Sequence, residues 1–254
     1  MSQNHPANAR HAPCPSASDA GAAPSHARNL HGRRKGRPLR PAQQRALTEL
    51  GPRIAIPQPD PAAGLDPFGL FPNRPRAVWL EIGFGAGEHL IAQAQAHRDV
   101  GLIGAEYFQD GIAKMLRQLE TAGLDNVRSY TGDARDLVQA LPDAVLDKVF
   151  VLFPDPWPKR RHHKRRLIQA PYLDMLARVL ADDGELRLAT DDPSYQRWMA
   201  IELHRHPAFA WPARRPADWR ERADDWPPTR YEQKAIEAGR TPVFLRYRRR
   251  RRTA

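Results

Sequence analysis

The sequence predicts a doubly wound α/β fold with a mostly parallel sheet. Short apolar runs at 78–84, 102–106, 127–131, 149–153 and 185–189 alternate with stretches of helical spacing, the order of strand–helix–strand units. Acids sit on or just beyond four of these runs (Glu81, Glu106, Asp133, Asp155), which gathers them on the sheet rim where α/β folds bind ligands. The chain has 254 residues, enough for one large domain or one domain with tails.

Residues 1–30 are rich in Ala, Pro, Ser, Asn and His and are expected to be a disordered tail. Residues 31–76 read as a basic N-terminal arm with a short helix near 43–50, then a Pro-rich linker. The folded domain is expected over 77–250. Its first strand, 78–84, ends in glycines and leads to a helix over 88–97 with Leu90 and Ile91 inward. A strand at 102–106 follows. The helix over 109–122 rests on the spacing of Ile112, Met115, Leu116 and Leu119 and stops at Gly123. The third strand, 127–131, precedes a short helix over 135–141 ended by Pro142. The fourth strand is 149–153. A helix over 172–180 ends before Asp183-Gly184, a strand follows at 185–189, and a helix covers 194–204. Runs at 209–211 and 243–247 complete a set of seven strands.

Formal net charge is +11 and the pI is about 10.4, which points to a polyanionic partner, nucleic acid before membrane. Of the 40 Lys and Arg residues only 6 are Lys, and Ala and Pro are also abundant, as a GC-rich genome would give. Clustering is therefore the stronger signal. One cluster holds Arg28, Arg33, Arg34, Lys35, Arg37, Arg40 and Arg45, a second spans 159–166, and a third is Arg246 with 248–252. Cys14 is the only cysteine, so a disulfide within the chain and a Cys-rich metal site are excluded. No apolar run reaches the ~20 residues that span a bilayer, and the N-terminus lacks a secretory apolar segment. A cytoplasmic protein without metal or membrane partner is expected, and a monomer.

Glu81-Ile-Gly83-Phe-Gly85-Ala-Gly87 joins the first strand to the first domain helix. Glycines there let a ligand approach the backbone closely. The spacing differs from the dinucleotide fingerprint, whose third glycine would fall at Glu88. An acid at a helix start opposes a pyrophosphate. A cationic ligand fits better, and S-adenosylmethionine carries both a sulfonium and an amino group. Glu106 is placed to accept ribose hydroxyls, and Asp133 to meet the adenine edge. Each acid has the alternative of a helix cap or a solvated strand end.

The fourth strand runs into Pro154-Asp155-Pro156-Trp157-Pro158, then into Lys159 and a run of cations with His162 and His163 inside it. The prolines fix the backbone around an acid and an aromatic, and the cations suit phosphates. Trp157 either stacks on a base or packs in the core. The two histidines are expected to face phosphates at the surface.

These strings resemble the bacterial tRNA (guanine-N(7)-)-methyltransferases, class I S-adenosylmethionine enzymes with a Rossmann-like sheet. The resemblance rests on Glu81 to Gly87, Gly104-Ala-Glu106, Gly132-Asp133-Ala134, Phe153 to Arg160, Ala189-Thr190-Asp191 and Pro228-Thr229-Arg230-Tyr231-Glu232, with Arg33 to Arg37 and Gln43-Gln44 upstream. It covers roughly residues 31–250. It implies that Glu81, Gly83, Gly85, Gly87, Glu106, Asp133 and Asp155 bind the cofactor and that Asp155 is catalytic. It also implies that Lys159, Asp191, Thr229, Arg230, Tyr231 and Glu232 bind tRNA. The family usually has Thr-Lys-Phe-Glu where this chain has Thr229-Arg230-Tyr231-Glu232, which keeps the charge and the ring.

Guanine N7 bears a lone pair and no proton, so methylation there needs alignment and charge stabilisation rather than a thiol or an imidazole base. Two other readings stay open: methylation of an exocyclic amine, although Trp157 interrupts the Asp-Pro-Pro-aromatic order of such enzymes, and a non-catalytic RNA-binding protein that retains the fold.

Overall fold

The computed structural model describes residue 36, residues 38–60 and residues 62–253. The expected tail at 1–30 and the basic residues Arg33, Arg34, Lys35 and Arg37 lie outside the described residues, as does Cys14.

Among the described residues the first elements form one helical segment from α1 (Pro41–Arg45) through a π-helical turn (Ala46–Leu50) to α2 (Gly51–Ile54). This is longer than the sequence suggested, and it contains Pro52 in the first turn of α2. Then follow β1 (Ala77–Ile82), α3 (Glu88–Ala96), β2 (Val100–Ala105), α4 (Gln109–Ala122), β3 (Val127–Tyr130), α5 (Ala134–Ala140), β4 (Leu146–Leu152), a 3-10 turn (Arg160–Arg165), α6 (Ala170–Val179), β5 (Leu180–Thr190), α7 (Pro193–Arg205), β6 (Phe209–Ala210), α8 (Ala217–Arg220), α9 (Arg230–Glu237) and β7 (Val243–Arg249).

The seven strands form one sheet in the order β3-β2-β1-β4-β5-β7-β6. Strands β1 to β5 pair in parallel, whereas β7 runs antiparallel to β5 and β6. Strand β5 starts earlier than expected because Leu180 pairs with Leu146 before a bulge brings Glu185 opposite Lys148.

Alternation along each strand makes two cores. Val78, Leu80, Val149, Val151, Leu186 and Leu188 pack on one face with Leu137 of α5, Leu173 and Leu176 of α6 and Met199 of α7. Trp79, Leu102, Phe150 and Phe244 pack on the other with Leu90 of α3 and Met115 and Leu116 of α4. The segment expected as arm and linker takes part in both, through Ile56 and Phe71 on the first face and Ala46 and Ile54 on the second. Among the described residues no helix is long and apolar enough to cross a membrane.

Candidate active site

Strand order reverses between β1 and β4, which are hydrogen-bonded neighbours although their crossovers lead to opposite sides. The loops that leave them therefore diverge and open a crevice at their carboxyl ends. The β1 loop is the glycine string and the β4 loop is the proline turn, so the sheet brings together the two motifs the sequence singled out.

Gly83, Gly85 and Gly87 all have positive φ (75°, 58° and 85°), a conformation that side chains with a Cβ resist. A Cβ on Gly83 would meet nothing within 4 Å, so its backbone faces open space where a ligand can lie. Gly111 of α4 is needed for a different reason: a Cβ there would sit 2.2 Å from the Gly85 carbonyl oxygen.

Glu106 follows β2 directly. Its carboxylate accepts from the N–H groups of Gly85 (2.8 Å), Tyr107 (2.7 Å) and Phe108 (2.9 Å), which fix it against the glycine loop. Burial raises its pKa, the three N–H donors lower it, and the charge of Asp155 raises it further. Glu106 and Asp155 thus sense each other across the crevice. Asp155 itself is exposed and forms no hydrogen bond or ion pair among the described residues.

Glu81 is placed differently. It lies within β1, 3% exposed, with its carboxylate 2.8 Å from Nδ1 of the buried His89. Asp133 caps α5 by accepting from the Arg135 N–H at 3.0 Å, and both of its oxygens are engaged by the Arg135 guanidinium. The cap is the alternative that the sequence had left open for it.

The turn after β4 is bent at Phe153 and Trp157, whose φ values are 51° and 44°. Trp157 belongs to neither core. It is half-buried, with the Arg165 guanidinium 4.9 Å from its ring centroid and the His162 ring edge-on at 5.9 Å. Lys159, Arg160, Arg161 and Lys164 are exposed, as a phosphate-binding surface requires.

Two expectations about the cations need correction. Arg166 is 2% exposed and donates to the Pro156 carbonyl and to Ser194 Oγ, both at 2.8 Å, so it is a packing residue and not part of the basic surface. Arg249 to Arg252 of the C-terminal cluster are also engaged, whereas Arg248 is exposed. Arg252 bonds Asp182 and the carbonyls of Ala177, Arg178 and Leu180, Arg251 pairs with Asp183, and Arg250 donates to the Phe209 carbonyl. His163, expected at the surface, packs edge-on against Trp198 at 5.6 Å with its Nε2 buried.

The stretch 229–232 is the start of α9. Thr229 Oγ1 accepts from the Glu232 N–H at 3.1 Å while the Glu232 carboxylate accepts from the Thr229 N–H, a reciprocal cap. Both residues are buried, and Glu232 also takes the Arg222 Nε at 3.1 Å. The Thr-x-x-Glu spacing was the signal for this helix, which the periodicity reading passed over. Capping aims Tyr231 at the crevice. Its ring stacks on Phe153 with centroids 6.5 Å apart and lies 3.0 Å from where a Cβ on Gly85 would be. Arg230 faces Glu88 at 3.8 Å, and Asp191, beyond β5, is held by Arg240 at 2.6 Å. Gln43 anchors α1 to the same rim by donating to Asp110 at 3.0 Å. Among the described residues no three His, Cys, Asp or Glu side chains gather as a metal site.

The family model described as "Putative methyltransferase" matches residues 75–245. A tRNA (guanine-N(7)-)-methyltransferase of Rhodospirillum rubrum is 53% identical over 91% of each chain. A protein of the same name from Paramagnetospirillum magneticum is 50% identical over 87% of this chain and 92% of its own. Among solved structures, a 16S rRNA methyltransferase, KamB, superposes with a TM-score of 0.52 at 14% identity, covering 70% of this chain and 89% of that one. That likeness is one of fold.

Proposed function

The chain belongs to the tRNA (guanine-N(7)-)-methyltransferases, and on that premise we propose that S-adenosylmethionine is its methyl donor and Asp155 its catalytic residue. It transfers a methyl group to N7 of a guanine in tRNA. One observation carries the reading of the site: an exposed Asp155 and a backbone-anchored Glu106 share the crevice between β1 and β4, beside the open backbone of Gly83. A donor with a sulfonium and an ammonium suits this acidic rim. When bound, it supplies a methyl group already activated by positive charge on sulfur.

The residues would divide the work as follows. Gly83, Gly85 and Gly87 give the donor close access to the backbone and Glu106 accepts its ribose hydroxyls, whereas Glu81 and Asp133, the other two acids the resemblance assigns to the donor, are already engaged by His89 and Arg135. Tyr231, lying over Gly85 and Phe153, closes the crevice from the side of α9 and offers a ring to the target base. No general base is needed, because N7 carries no proton. The base becomes cationic as the methyl arrives, and the carboxylate of Asp155 stabilises that charge electrostatically. Lys159, Arg160, Arg161 and Lys164 hold the tRNA backbone, and Asp191 and Arg230 contact the tRNA from beyond β5 and from the start of α9.

The test is single-turnover methyl transfer by Asp155→Ala and Asp155→Asn, with tRNA affinity measured alongside. The rate is expected to fall far more than the affinity. A rate within about twofold of wild type would remove Asp155 from the mechanism.

A further inference from the structure

Pro154, Pro156 and Pro158 supply no N–H, so the turn that carries Asp155 cannot be held by backbone donors of its own at those positions. It is nonetheless bent through positive φ at Phe153 and Trp157, a conformation that persists only when the surroundings impose it. Arg166 provides that restraint. It is buried, and its Nε donates to the Pro156 carbonyl at 2.8 Å, the residue directly after Asp155. A second guanidinium nitrogen donates to Ser194 Oγ at 2.8 Å, at the start of α7. The guanidinium lies 5.0 Å from the Tyr195 ring centroid and 5.1 Å from that of Trp198, both on α7. The planar fork is therefore locked to a helix on one side and grips the proline turn on the other.

We propose that Arg166 is a positioning residue: it fixes the Asp155-Pro156-Trp157 backbone against α7 and so sets where the Asp155 carboxylate stands, without touching tRNA. This rests on the reading of Asp155 as catalytic. It separates Arg166 from its exposed neighbours Lys159, Arg160, Arg161 and Lys164, which share its charge but not its burial.

The test uses Arg166→Lys, Ser194→Ala and, in parallel, Asp155→Asn in the full chain. Lysine keeps the charge but cannot reach two acceptors in one plane. Arg166→Lys is expected to slow single-turnover methyl transfer by about tenfold to a hundredfold at saturating donor and tRNA, the scale of a small misplacement of a reacting group. Its tRNA affinity and salt dependence should match wild type. Ser194→Ala, which leaves the Arg166 guanidinium on Pro156 and against the Tyr195 and Trp198 rings but removes its hydrogen bond to α7, should slow the reaction by a smaller factor. Rates are compared below the melting midpoint of each variant, so that lost stability does not register as lost rate. If Arg166→Lys keeps the wild-type rate while Asp155→Asn is slow, positioning by Arg166 is refuted and the Asp155 reading stands. Weakened tRNA binding with a flattened salt dependence would make Arg166 a phosphate contact and also overturn the proposal. Should Asp155→Asn keep its rate, the Asp155 reading fails and the proposal falls with it.

Discussion

His89 and Glu81 form a buried pair: the imidazole Nδ1 lies 2.8 Å from the carboxylate, and their side chains are 1% and 3% exposed. The bond needs a hydrogen on Nδ1, which leaves Nε2 to accept from Gln93 at 3.3 Å, and Gln93 in turn donates to the Asp225 carbonyl at 2.8 Å. A continuous polar chain thus runs from β1 through α3 to the loop before α9. It explains how an acid can sit inside a strand of otherwise apolar residues.

His89→Ala should therefore cost about 2–4 kcal/mol of folding stability, from an unsatisfied buried acceptor together with the cavity left behind. A double-mutant cycle with Glu81→Gln should give a coupling of about 0.5–3 kcal/mol by urea denaturation. Additive effects would mean that the two side chains are satisfied independently.

Glu106 gives a prediction with a sign. Burial is the largest influence on it and raises its pKa, so the folded protein holds this proton more tightly than the unfolded chain. Its contribution to stability is complete below the unfolded-state pKa and is lost as pH rises through the folded-state value. Ionised Glu106 is then a cost at neutral pH that Glu106→Gln cannot incur. The variant's denaturation midpoint should gain on wild type as pH rises from about 4 to about 7, while its donor affinity falls by about 1.5–3 kcal/mol. Donor binding by wild type should weaken on acidification at a higher pH than an ordinary glutamate would set. A midpoint difference independent of pH, or calorimetry showing undiminished affinity, contradicts this.

Arg252 tests whether the C-terminal arginines serve folding. Its guanidinium reaches the carbonyls of Ala177, Arg178 and Leu180 where α6 meets β5, and it pairs with Asp182. Arg252→Ala should lower stability by about 1.5–3 kcal/mol, the range for hydrogen bonds to a charged group. The salt dependence of tRNA binding should not change. Weakened tRNA binding at unaltered stability would return this cluster to the RNA surface.

The sheet was legible because its strands are short apolar runs bounded by Gly, Pro and acids, and a period of two against one of 3.6 separates them from the helices. Helix α4 is recovered end to end, since Ile112 to Leu119 mark its face and Gly123 its stop. Of the four acids grouped from the sequence, Glu106 and Asp155 stand at the crevice, whereas Glu81 is buried on His89 and Asp133 caps α5, and none of these partners was legible. Nothing in the order of residues says that Arg135 would turn back onto Asp133, or that Arg166 would fold inward while Lys164 stays in water. Charge runs look uniform in a sequence, and burial sorts them only when the neighbouring helix, here α7 with Tyr195 and Trp198, supplies a place for a guanidinium. Helix α9 was missed for the opposite reason: its signal is a four-residue cap at the head of only eight residues, whose apolar positions are Tyr231, Ala235 and Ile236.

That sorting fixes how the basic surface should be tested. Lys159, Arg160, Arg161 and Lys164 are exposed, and the 3-10 turn presents them together beside the Asp155 turn. Each contact with a backbone phosphate releases counterions, so the logarithm of tRNA affinity falls with the logarithm of salt by about 0.7 per contact on single strands and about 0.9 on duplex. Replacing all four with Gln should weaken binding and flatten the slope by up to about 2.8 if the contacts are to single strands and up to about 3.6 if they are to duplex. Donor affinity should hold, because the acidic rim that receives the donor is formed by Glu106 and the glycine loop on the other side of the crevice. These substitutions leave Arg166 and its bond to Pro156 in place, so the folded turn is preserved and a change in slope reports on phosphates alone. An unchanged slope would make the loop solvated surface and move the tRNA contacts elsewhere on the protein. Lost donor affinity would instead mean that the loop supports the crevice.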